Sequence, residues 1–182
     1  MRLFIALPLP PDVRRALAQI QLRLKQLAPH GRFVAMENFH ITLHFIGESR
    51  ALLEAARACD EAARGIRPFV LRLNHYKSFK RGDTHTGYVA LRGDLKELHT
   101  LYETLTAALK SQGFACGEKR IVPHITLARA LICEGDISVA MQEAFLTLGG
   151  GGAFSANQLV LYDSRHERGK LVYAPLHRSK FL

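Results

Sequence analysis

The chain has 182 residues, 48% of them hydrophobic and 23% charged, which suits one folded unit with a sizeable core and excludes a disordered or fibrous chain. Twenty-five Lys and Arg against 16 Asp and Glu leave a formal charge of +9, so a polyanionic partner is favoured, although charge alone fits plain solubility equally well. Cys59, Cys116 and Cys133 form no C-x-x-C pair, and no apolar run nears the ~18 residues of a membrane span, so a soluble, unexported, cytoplasmic protein with reduced thiols is expected.

Arg2 to Leu7 predicts a first strand, closed by Pro8. From Pro11 the residues Val13, Leu17, Ile20, Leu24 and Leu27 recur at helical steps, and Pro11 with Asp12 suits a first turn. Phe33 to Met36 reads as a short strand, and Glu37-Asn38 as a turn. The next segment, Phe39 to Ile46, alternates: Phe39, Ile41, Leu43 and Phe45 share one face, His40, Thr42 and His44 the other. Gly47 closes it, and Ser49 caps a helix that runs to about Ala63 and stops near Gly65.

Two further strands, Phe69 to Leu73 and Gly87 to Leu91, flank a polar, basic stretch, HYKSFKRGDTHT, that reads as a loop able to track a phosphate backbone or simply as a solvated connection. Asp94 and Glu97 predict a capping box for a helix carrying Leu95, Leu98, Tyr102, Leu105 and Leu109, ended by Gly113. A strand from about Ile121 to Ala128 follows, then a shorter helix from Asp136 with Ile137, Ala140, Met141, Ala144 and Phe145 inward. Gly149 to Gly152 reads as a flexible link, and Asn157 to Tyr162 and Lys170 to Leu176 as two last strands. Helices thus alternate with strand pairs, which predicts α+β with largely antiparallel sheets. Neither G-x-x-x-x-G-K nor G-x-G-x-x-G occurs.

The tetrapeptide His-Ile-Thr-Leu occurs twice, at His40 to Leu43 and at His124 to Leu127, and both copies sit in strand-like runs. A lone strand histidine is usually a surface residue, but two copies of H-x-T-L are hard to attribute to chance. On a strand each His and its Thr project on one face, so two pairs meeting across a groove would offer two imidazoles and two hydroxyls. That set suits phosphodiester hydrolysis. One histidine accepts a proton from water, the other protonates the leaving oxygen, and Thr42 and Thr126 hydrogen-bond the non-bridging oxygens. The residues alone leave open which histidine is which. His44 shares the predicted face of His40, yet no carboxylates or cysteines accompany the two, so neither a metal nor another cofactor is expected.

With these residues the chain resembles the 2H phosphoesterase superfamily, specifically the RNA 2',3'-cyclic phosphodiesterases once called 2'-5' RNA ligases. The likeness extends to Arg2 through Leu7, Glu37-Asn38-Phe39 before the first H-x-T-L motif, Pro123 before the second, Ala128-Arg129 after it, and Leu159 through Ser164. It implies a single domain over residues 1–182, of two lobes with mainly antiparallel sheets and flanking helices, related by a pseudo-twofold axis about a central cleft. The implied reaction opens the 3' side of a cyclic ester and leaves a 2'-phosphate, with His40 as proton donor and His124 as proton acceptor. Arg129 would hold the phosphate, although unbroken strand parity puts it on the face of Ile125 and Leu127. Tyr88 would stack on a base, though strand aromatics are more often core. The implied partner is RNA with a 2',3'-cyclic phosphate end, or a cyclic nucleotide, bound by a monomer that has no membrane partner. Weak reversal, joining ends through a 2'-5' linkage, is compatible with the same site. The alternative is a non-catalytic RNA or nucleotide binding module whose histidines only grip phosphate.

Overall fold

Burial alternates where the sequence alternates, and that periodicity builds two sheets. The computed structural model describes residues 1–117, 121–133, 135–148 and 152–182, with every side chain in these ranges except that of Arg81. Arg2–Pro8 forms β1, and Pro11–Leu27 forms α1 with Val13, Leu17, Ile20 and Leu24 buried along one stripe. β2 is His30–Phe33, Met36–Asn38 is a 3-10 turn, and β3 is His40–Glu48. The short strand expected at Phe33 to Met36 therefore lies a few residues earlier.

Helix α2 is Leu52–Ala63, and Gly65 follows it at φ +82°, a conformation that glycine adopts without steric cost. Ser49 stays outside the helix, its Oγ accepting the Ala51 N–H at 3.1 Å. The basic stretch is a hairpin and not a loop: β4 runs Phe69–Arg81 and β5 Thr84–Gly93, paired up to Arg81 and Thr84. Only Gly82 and Asp83 make the turn, with Gly82 at φ +60°.

Helix α3 is Leu95–Ser111, with Leu98, Leu101, Leu105, Ala108 and Leu109 buried. Its capping box does not form, because the Asp94 carboxylate accepts the Val70 N–H of β4 at 2.7 Å instead of a helix N–H. β6 is His124–Ile132, α4 is Ser138–Thr147 with Met141, Ala144 and Phe145 buried, and β7 is Ala153–Ala156, a strand with no sequence expectation behind it. Residues 149–151 of the expected glycine link lie outside the described residues. The last two strands, β8 (Gln158–Glu167) and β9 (Lys170–Lys180), pair as a hairpin longer than expected.

One sheet has the order β3-β1-β8-β9 and the other β2-β6-β5-β4-β7, and every pairing is antiparallel. Helices α2 and α3 pack together, α2 against β8 and β9, while α1 and α4 pack together with α4 against β4. The result is α+β with two lobes, as expected, each a sheet backed by two helices. The two strands that begin with the repeated tetrapeptide, β3 and β6, approach each other where the lobes meet.

Candidate active site

Each histidine opens its strand, and the residue two before it supplies a backbone acceptor. His40 Nδ1 donates to the Asn38 carbonyl at 2.6 Å, and His124 Nδ1 donates to the Val122 carbonyl at 2.7 Å. A carbonyl can only accept, so both rings carry their proton on Nδ1 when neutral and leave Nε2 as the accepting nitrogen. Asn38 is itself buried and anchored, its Nδ2 donating to the Leu171 carbonyl at 2.8 Å. Thr42, two residues along the pleat, donates its hydroxyl to His40 Nε2 at 2.8 Å.

The charges of His124 and Arg129, both on β6, disfavour the protonated form of His40 on β3, so the two strands share one electrostatic site. Burial is the largest cause of the shift, and the Asn38 carbonyl opposes it. The outcome is a His40 pKa lowered from 6.5 to about 4.

Strand parity breaks just after both tetrapeptides, at matching places. Thr126 lies opposite Tyr88 but Ala128 opposite Gly87, so two residues of β6 span one of β5. Likewise Thr42 lies opposite Ala6 and His44 opposite Ile5. Leu127 and Ala128 are consecutively buried, as are Leu43 and His44. Beyond the bulge Arg129 is exposed and lines the cleft, which removes the parity objection to it, and Ala130 takes φ +51°.

The same bulge overturns the alternation expected for β3. Phe45 is 70% exposed and lines the cleft. His44 turns to the helix side, stacks on Tyr102 of α3 at 4.8 Å and bonds Thr106 Oγ1 through Nε2 at 2.7 Å. Because Thr106 already gives its hydroxyl proton to the Tyr102 carbonyl, His44 is the donor in that contact. His44 therefore shares no face with His40, and among the described residues no cluster of three or more His, Cys, Asp or Glu is placed to hold a metal ion.

A profile of the LigT like Phosphoesterase family matches residues 7–87. The chain is 31% identical to the RNA 2',3'-cyclic phosphodiesterase of Escherichia coli K12, a match covering 97% of this chain and 94% of that protein. This chain belongs to the LigT-like RNA 2',3'-cyclic phosphodiesterase family. The relative of the same name from Thermotoga maritima is 31% identical over 71% of this chain and 70% of its own. In three dimensions it is similar to Escherichia coli LigT complexed with 3'-AMP, with TM-score 0.75 and 29% identity over 99% of this chain and 97% of that one.

Within this LigT-like cleft each histidine meets two aromatic rings. His40 lies 5.1 Å from Phe4 and 5.2 Å, edge-on, from Tyr173; His124 lies 5.2 Å from Tyr88 and 5.8 Å, edge-on, from Phe79. Tyr88 faces the cleft beside Thr126 but is only 5% exposed, because Phe79 stacks on it at 4.3 Å. The ring open to solvent on that side is Phe79, 43% exposed. Sequence reasoning missed Phe79 by treating its segment as a loop. The Gly82-Asp83 pair, a two-residue hairpin turn signal, was the cue. Tyr173 carried no comparable cue, since only the β8–β9 hairpin brings it to His40.

Proposed function

We propose that this chain hydrolyses RNA 2',3'-cyclic phosphate ends to 2'-phosphates, with His40 as proton donor and His124 as proton acceptor. The observation that supports this most is the pair of imidazoles, each fixed by a backbone carbonyl through Nδ1 and each opening one of two converging strands. His124 Nε2 takes a proton from water as its oxygen bonds to phosphorus. The bond from phosphorus to the 3' oxygen breaks in line, and His40 delivers the proton that this oxygen needs. Protonated His40 no longer accepts from Thr42 through Nε2, so the Thr42 and Thr126 hydroxyls donate hydrogen bonds to the non-bridging oxygens, and the Arg129 guanidinium holds their charge. Acid, base and charge stabilisation all come from side chains, so no step is assigned to a metal or other cofactor.

The donor role places a demand on His40. Its lowered pKa keeps it neutral in the empty cleft, so the substrate phosphate must restore its proton. Tyr88 serves as the support of Phe79 in the base-binding wall. Ligation through a 2'-5' linkage is the same opening of the cyclic ester with a 5'-hydroxyl in place of water as the nucleophile, and water at high concentration keeps it weak. Residues 1–182 act as one domain of two lobes, a monomer in the cytoplasm with RNA or cyclic nucleotides as partner. No described helix is long and apolar enough to cross a membrane.

The test is product analysis on a cyclic-ended RNA in the presence of chelator. A 2'-phosphate product, a bell-shaped rate against pH, and its loss in His40→Ala and His124→Ala are expected. A 3'-phosphate product would reverse the leaving group. The formal charge of +9 favours one second reading, an RNA-binding module, and tight RNA binding with every cyclic end left intact would select it.

A further inference from the structure

Beside His40 the cleft opens into a cavity of about 590 Å³ whose wall carries more positive charge than one reacting phosphate needs. Arg2 of β1, Arg32 of β2, Arg129 of β6 and His166 of β8 line it, together with Phe45 and Tyr173, and no Asp or Glu does. Among the described residues none of the three arginine side chains makes an ion pair. The nearby Asp163 carboxylate instead accepts the backbone N–H of Arg2 at 2.9 Å.

The ladder adds an independent sign of an anion. Arg32 and Arg129 sit directly opposite one another in the β2–β6 pairing, and like charges in that position are destabilising. Anions held along this wall, one at Arg129 and one at Arg32, offset that repulsion with charge-assisted hydrogen bonds. Tyr173 fixes how this region joins the histidines. Its ring is edge-on to His40, and its hydroxyl feels the positive charges of both Arg129 and Arg2. The cationic wall thus starts at the reacting phosphate and extends past Tyr173.

We propose that this cavity is a second phosphate subsite, in which Arg2 and Arg32 hold the phosphate on the 5' oxygen of the nucleotide whose cyclic end is opened. The substrate class is then cyclic ends that carry a 5'-phosphate or a 5'-phosphodiester, in preference to cyclic nucleosides with a free 5'-hydroxyl. The orientation of the substrate rests on the hydrolase reading above; the subsite itself is a binding property and is tested as one.

Calorimetry with adenosine 2'-phosphate and adenosine 2',5'-bisphosphate reads it directly. The unaltered protein should bind the bisphosphate roughly 10- to 100-fold more tightly, the yield of one or two hydrogen bonds to a charged group. Arg32→Met and Arg2→Met should each cut that ratio severalfold and together bring it near one, while Arg57→Met, exposed on α2, should leave it intact. Equal affinities in the unaltered protein, or a ratio that survives the double substitution, would overturn the subsite. So would an equal fall in Arg57→Met, which would indicate diffuse attraction only. Turnover of a cyclic nucleoside, its 5'-phosphate and a cyclic-ended dinucleotide separates the sources: a gain for both phosphorylated forms, or for the dinucleotide alone, supports the subsite, and a gain for neither opposes it. If no cyclic end is opened while the calorimetric ratio holds, the hydrolase reading falls and the anion subsite stands.

Discussion

Filling the cleft with a nucleoside 2'-phosphate should raise the pKa of His40 by two units or more. In the empty site burial, aided by the charges of Arg129 and His124, holds that pKa at about 4 against an ordinary 6.5. At about 1.4 kcal/mol per unit the protonated ring is disfavoured by roughly 3 kcal/mol, and at pH 7 only about one ring in a thousand is charged. A phosphate about 4 Å from the ring, in a site of effective dielectric near 20, contributes about 4 kcal/mol per negative charge in the opposite sense. It also neutralises Arg129, one cause of the depression. The phosphate therefore outweighs the burial penalty and returns the pKa to 6.5 or above. The assay is an NMR titration of the His40 ring Cε1–H, with and without saturating ligand. Its kinetic counterpart is a limb that lies at higher pH in kcat, which reports the complex, than in kcat/KM, which reports free protein. A free-state midpoint near 6.5, or one unmoved by ligand, would refute both the electrostatic reading of the site and the donor role of His40.

Acid should unfold the protein partly through the same group. The depressed pKa means that the unfolded chain binds the proton first, so stability present above pH 6.5 is lost as pH falls toward 4, by roughly 3 kcal/mol from His40; chemical denaturation should show a shallower loss in His40→Asn, and identical pH profiles would remove His40 from the account. His44 is depressed by burial as well and acts in the same direction. Gly87→Ala should destabilise by about 1–3 kcal/mol, because the new methyl would sit 2.8 Å from the buried Tyr76 hydroxyl and 3.0 Å from Leu131 Cδ1. An unchanged thermal midpoint would mean that the bulge opposite Ala128 relaxes freely. Phe79→Ala removes the exposed ring beside His124 and should raise KM roughly fivefold or more with kcat little changed, the scale of one lost base stack. Equal KM values would rule out base stacking there.

Much of the fold was legible because its segments obey one period at a time. The stripe from Val13 to Leu24 gave α1, and the repeated tetrapeptide gave the starts of β3 and β6 together with the faces of His40, Thr42, His124 and Thr126. What failed did so for local physical reasons. Asp94 and Glu97 have capping-box spacing, but the unpaired Val70 N–H at the neighbouring strand takes the carboxylate first. The 75–86 stretch looked like a loop because its polar residues are the solvent-facing positions of a hairpin, whose turn is two residues long. His44 and Phe45 were exchanged because alternation assumes an unbroken pleat, and nothing local in Leu43-His44 announces a bulge.

That bulge recurs, and its recurrence explains how a two-residue motif becomes a three-residue site. In an unbroken strand the cleft face of each copy would hold the His, the Thr and the residue two further on, His44 or Ala128. The inserted residue sends that position to the core side and brings the next one, Phe45 or Arg129, to the cleft. Each lobe therefore presents an imidazole, a hydroxyl and one variable side chain in the same order along its strand. The lobes differ only in that last position: an exposed aromatic ring on β3 and a guanidinium on β6. A symmetric pair of histidines alone would accept a phosphate in either direction. The unlike third residues break that degeneracy, because the charged oxygens are drawn toward the Arg129 guanidinium on β6, while β3 offers no charge at the matching position. The proposed roles of His40 and His124 can then differ although each ring is held through Nδ1 by the carbonyl two residues before it.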